Sequence, residues 1–204
     1  MDIRRKILIG TVLLVVGVLA GIQARPWIAR WAVGPVTPEQ IQLDAVSLLD
    51  VLRPDPRLPD DLAADPEGWK GFWAAWDPRR ARYSDEQLAD LRRRLDDYLD
   101  FLHAEYADCA EIYRLGRPDH VQVQSDAAKE ARLRVRADFG AFAETLVKQA
   151  DEMREDAYTS SPKVAAGDDP ALTDYRDAYD ELVQKWLPMA HARVDQLTAP
   201  VAPK

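Results

Sequence analysis

Between Leu88 and Tyr113 an apolar or half-apolar residue recurs every three or four positions: Leu88, Leu91, Leu95, Leu99, Leu102, Tyr106, Cys109 and Tyr113. That spacing puts all eight on one side of an α-helix, sustained for about seven turns. At 1.5 Å per residue, a helix of about 30 residues runs about 45 Å and sets the length of the domain that encloses it. The stripe keeps a straight 3.6-residue period, not a strict heptad seam, so a globular bundle is expected and not a long coiled coil.

The flanking sequence predicts more helices and no strands. Ser84-Asp85-Glu86-Gln87 forms a capping box ahead of the long stripe, and Gly116 and Pro118 end it. A shorter first helix opens at Thr37-Pro38-Glu39-Gln40, buries Ile41, Ala45, Leu48, Leu49 and Leu52, and stops at Pro54. A short aromatic helix follows, with Trp69, Trp73 and Trp76 on one face, Phe72 beside them, and Asp77-Pro78 as its stop.

A third helix is expected over residues 125–157, with Ala128, Val135, Phe139, Phe142, Leu146, Ala150 and Met153 inward and Glu144 paired to Lys148. Residues 159–168 read as a loop. A fourth helix opens at Asp169-Pro170, carries Leu172, Tyr175, Tyr179, Leu182, Trp186, Met189 and Leu197, and kinks about one turn before Pro188. Residues 198–204 read as a frayed tail. The expected fold is an all-α, up-down antiparallel bundle over residues 37–197, of three long helices plus the shorter first helix and the aromatic one.

The other dominant feature is ILIGTVLLVVGVLAGI at residues 7–22, uncharged, preceded by Arg4, Arg5 and Lys6. A secretory signal peptide would be cut after Ala20 or Ala24. The expected reading is instead an uncleaved anchor. Extended through residue 27, the run reaches about 31 Å, enough to cross a bilayer core. Trp27 and Trp31 alternate with Arg25 and Arg30, which suits a membrane–water interface. Three basic residues precede the span and two follow it, so the amino terminus is placed on the cytoplasmic side of the inner membrane and the body outside. Residues 1–33 thus form anchor and juncture. Gly10, Gly17, Gly21 and Ala24 share one face of that helix, a small-residue surface against which a partner's membrane helix or a second copy can pack.

Charge divides the chain in the same place. Residues 1–37 carry +4 of a total of −8, which leaves −12 on residues 38–204. An acidic body disfavours nucleic acid as a partner, because phosphate binding needs clustered Lys and Arg. Cys109 is the sole cysteine, so no intramolecular disulfide forms, and it reads as a small buried hydrophobe.

Catalytic signatures are sparse. Asp100 and His103 make one D-x-x-H pair where a di-iron bundle needs two E-x-x-H pairs and two further Glu. His191 and Asp195 make a reversed pair, and His120 sits in a turn. Ser160 and Ser161 lack a G-x-S-x-G elbow, and neither glycine-rich phosphate motif is present. Arg132, Arg134 and Arg136 diverge around a helix and read as a solvated face. No metal or cofactor is implied, and the sequence leans away from an enzyme.

Trp69, Phe72, Trp73 and Trp76 are the strongest local feature, with Lys70, Arg79, Arg80 and Arg82 around them. They read either as a helix capping the bundle or as an interfacial or partner-binding element. The expectation is an anchored, extracytoplasmic interaction or scaffold module, an accessory subunit of a membrane or envelope complex. The competing expectation is a secreted ligand-binding or enzymatic bundle.

Overall fold

The computed structural model describes residues 36–52, 62, 67, 69–115, 124–167 and 178–201. The helices among them lie in the unit Thr37–Lys204, one of two into which the chain divides. They are α1 (Pro38–Leu52), α2 (Lys70–Arg80), α3 (Asp85–Leu115), α4 (Asp126–Phe139), a 3₁₀ turn (Gly140–Phe142), α5 (Ala143–Ala166), a π-helical turn (Leu182–Trp186) and α6 (Leu187–Thr198). The chain is all-α, with no strand among the described residues.

The long stripe forms α3, the axis on which α1, α4, α5 and α6 pack. Leu88, Leu91, Leu95, Leu99, Cys109 and Tyr113 are buried, and Leu102 and Tyr106 are half-buried. The predicted capping box closes in both directions. Gln87 N–H donates to Ser84 Oγ at 3.2 Å and Ser84 N–H donates to Gln87 Oε1 at 3.0 Å. At α1 only half the box forms. Thr37 Oγ1 accepts from Gln40 N–H at 3.2 Å, while the Gln40 side chain donates forward to Asp44 at 3.0 Å.

The single helix expected over residues 125–157 is a helical hairpin. α4 and α5 run antiparallel, and Arg132 Nη1 donates to Asp151 Oδ1 at 2.6 Å. In a continuous helix those residues would lie about 28 Å apart. The chain reverses at Gly140, whose φ of +52° belongs to glycine. The Asp138 carbonyl, left over at the end of α4, accepts from Gln42 Nε2 at 3.0 Å and Arg94 Nη1 at 2.7 Å. The apolar pattern runs on through the reversal, because both arms of the hairpin bury a face against α3. Gly140 is the one sequence signal of the break.

Contacts along α3 give the directions of its neighbours. α4 is antiparallel, since Asp108 accepts from Ser125 N–H at 3.0 Å near one end and Arg93 donates to Asp138 at 2.9 Å near the other. α6 is antiparallel too, with Arg92 paired to Asp195 at 2.5 Å and Tyr106 against Trp186 at 6.2 Å. α1 and α2 gather where α3 begins. Tyr83 donates to Asp44 at 2.6 Å and Trp76 Nε1 donates to the Leu197 carbonyl at 2.9 Å.

Other boundaries also move. α5 continues through residues 159–166, with Pro162 inside it, where local composition predicts a loop. α2 passes Pro78 and ends at Arg80, since one proline late in a short helix removes a single backbone bond. A π-helical turn, Leu182–Trp186, stands where Pro188 predicts a kink. Pro188 cannot donate to Gln184, the ladder widens, and Leu187 N–H bonds instead to the Leu182 carbonyl. Thr198 still belongs to α6 and is buried. Lys148 pairs with Glu152 at 3.5 Å, while Glu144 faces Arg136 at 3.3 Å.

A β-carbon at Gly140 would meet Gln42 Nε2 at 3.0 Å in addition to the unfavourable φ. Gly140→Ala is therefore expected to lower stability by about 1–3 kcal/mol in urea unfolding. Gly71→Ala, in helix α2 with open space around it, is expected to be neutral or stabilising by about 1 kcal/mol.

Candidate functional site

The aromatic helix divides its residues between core and surface. Trp76 is 3% exposed, its indole N–H held by Leu197 and its ring tilted against Tyr83 at 6.3 Å. Trp69 is also buried. Phe72 and Trp73 are half-buried; Phe72 meets Trp69 edge-on at 5.5 Å and Trp73 at 5.1 Å. The Arg80 guanidinium lies 5.4 Å from the centre of the Trp73 ring, a cation–π contact. Arg80 also donates to the Gln196 carbonyl and Asp77, and Arg79 pairs with the buried Asp44. Burial and the Asp44 carboxylate push the Tyr83 hydroxyl well above the usual phenol range.

A second cluster lies inside the bundle. Glu105, fully buried on α3, accepts from Arg132 Nε at 2.6 Å and Nη2 at 3.0 Å, and from Arg154 Nη2 at 2.6 Å. Arg154 Nη2 also donates to Asp108 at 2.8 Å. Burial works against both positive charges, but the carboxylates facing them hold Arg132 and Arg154 above their ordinary pKa. Arg132 is thus no part of a solvated face. Side chains at 132, 134 and 136 do diverge, and the divergence turns Arg132 inward. Arg134 reaches Asp97 at 2.8 Å and Arg136 stays at the surface.

The remaining candidates stand apart from one another. His103 is exposed, and its expected partner Asp100 faces Arg134 at 3.3 Å. His191 meets Asp96 at 3.1 Å, while Asp195 is taken by Arg92. His120 lies outside the described residues. Among those residues no group of three His, Cys, Asp or Glu side chains is placed to hold a metal ion. Ser161 is buried and donates back to the Tyr158 carbonyl at 3.2 Å. Cys109 is buried as expected, and burial pushes its thiol up to about 12, far from thiolate chemistry at neutral pH. Between α3 and α5 an apolar cleft of about 320 Å³ is walled by Phe101, Tyr106, Leu146 and Met153.

No protein-family model, curated protein or solved structure matches this chain. The site therefore rests on its own geometry. Gly10, Gly17, Gly21, Ala24, Trp27 and Trp31 lie outside the described residues. Among the described residues no helix is long and apolar enough to cross a membrane.

The sequence did carry a signal for the buried cluster. Tyr98, Phe101, Glu105, Asp108 and Ile112 form a second helical stripe beside the first, with two acids in it. Arg132 stands four residues after Ala128 and three before Val135, and Arg154 four after Ala150. Opposite charges interrupting inward stripes on separate helices are the pattern of a buried ion pair.

Glu105→Ala leaves two buried guanidiniums short of their shared acceptor and is expected to cost about 3–5 kcal/mol in denaturant unfolding. Asp151→Ala, at the exposed end, is expected to cost about 1 kcal/mol or less. Asp138 gives a pH test. Burial raises its pKa, and the Asp97 carboxylate adds to this against the opposing pull of Arg93. A raised folded-state value means that the native protein takes up the proton first. This group's contribution to stability therefore grows as pH falls through its folded pKa toward the ordinary 3.8. Comparing unfolding free energies of wild type and Asp138→Asn across pH 4–7 is expected to show that increment only in the wild type.

Proposed function

We propose that the chain is a single-pass, membrane-anchored helical bundle that serves as an interaction or scaffold module, an accessory subunit of a membrane or envelope complex. The observation that carries this reading is the uncharged run at residues 7–22, with Arg4, Arg5 and Lys6 before it and Trp27, Arg30 and Trp31 after it. The described body adds two supporting features. Its most deeply buried charges are paired within the fold, and burial keeps Cys109 and Tyr83 protonated at neutral pH. Contact through surfaces suits such a body better than turnover.

Partner choice is assigned to the small-residue face of the membrane helix. Gly17 and Gly21, four apart, permit close approach of a second helix, either a partner's or a second copy's. Extraction of the native membrane in mild detergent is expected to yield the chain with a stoichiometric companion or as a homo-oligomer. Gly17→Leu with Gly21→Leu is expected to release that companion while leaving the chain in the membrane fraction. A clean monomer at native expression, unchanged by the double substitution, would refute the assignment.

A further inference from the structure

We propose that the outer edge of α2, Phe72 and Trp73 with the basic residues around them, rests in the headgroup layer of an anionic membrane. This rests on the anchored reading and adds the surface by which the body lies against the bilayer.

Two observations converge on this edge. The fold uses Trp69 and Trp76 as core, whereas Phe72 and Trp73 stand half-exposed as an edge-to-face pair with Arg80 over the indole. An amphipathic ring with a cation beside it is what the interfacial layer accommodates. Charge agrees. Residues 69–84 hold Lys70, Arg79, Arg80 and Arg82 against Asp77, with Asp44 and Glu67 the further acids that meet Arg79 and Lys70, in a body that is otherwise strongly acidic. Lys70, Arg79 and Arg82 are exposed, and Lys70 has only a loose 3.8 Å pairing with Glu67. An anionic leaflet complements this patch and repels the rest of the body.

α2 packs where α3 begins, with Asp44 held by both Arg79 and Tyr83, and the opposite end of the bundle, at Leu115 and Ser125, stands about 45 Å along α3.

The test uses the full chain with Gly71→Cys labelled by an environment-sensitive fluorophore. A β-carbon at residue 71 meets nothing within 4 Å, and buried Cys109 stays unlabelled. Lys129→Cys, on α4 near the far end, is the control. The chains are reconstituted into phosphatidylcholine vesicles with or without phosphatidylserine, and flotation verifies incorporation. The expected result is a blue shift at residue 71 that appears only with vesicles, with several-fold stronger quenching by lipid-borne quenchers than at residue 129. Both effects should increase with phosphatidylserine and be lost in Phe72→Ser with Trp73→Ser. Lys70→Glu with Arg82→Glu should abolish the phosphatidylserine dependence while leaving the core intact. A label at residue 71 that stays aqueous on floated vesicles overturns the proposal and leaves anchoring standing. Failure to float overturns the anchored reading and this inference together.

Discussion

Glu105 is the residue on which three helices agree. Its carboxylate, on α3, receives Arg132 from α4 and Arg154 from α5, and it has no access to water. Three long helices with apolar faces can slide or rotate against one another at little cost, since leucine packs nearly as well on one leucine as on the next. A buried carboxylate with two guanidiniums admits one register. Such a cluster adds little net stability over an apolar equivalent, and fixing the arrangement is its best-attested use. Here the fixed register brings the Asp108 carboxylate onto the first turn of α4, where it accepts the Ser125 N–H.

Two ends of the bundle follow from that register. At one, Tyr113 stacks on Tyr179 in the cluster around Cys109, and Tyr106 tilts against Tyr179 and meets Trp186 edge-on. At the other, α1 and α2 meet the start of α3 and the end of α6 through single directed bonds: Asp44 to Tyr83, Trp76 to Leu197, Arg193 to Val51. Each of these joins residues far apart in sequence and leaves α2 with an inward face and an outward one.

Helix identity was legible because period and caps are local properties. The Leu88-to-Tyr113 stripe and the Ser84 box needed no tertiary information, and Pro188 marked where the last helix departs from regular α geometry. What escaped was direction. An apolar period survives a hairpin when both arms pack on the same neighbour, so residues 125–157 looked like one helix, and only Gly140 marked the turn. Residues 159–166 were lost in the opposite way. Thr, Ser and Pro suggest a loop, but Ala157 and Ser161 are buried and their packing overrides local preference. For the site, composition located the aromatic helix but not the split between its core and surface tryptophans. That split depends on Leu197, more than a hundred residues away.

In the proposed function this fixed bundle hangs from an apolar leader that stays in place. The most direct test is the intact mass of the native protein recovered from its own cells. A species near the full-chain 23.0 kDa in the membrane fraction, retaining residues 7–22, is the predicted result. A soluble species beginning at Gly21 or Arg25 would contradict it.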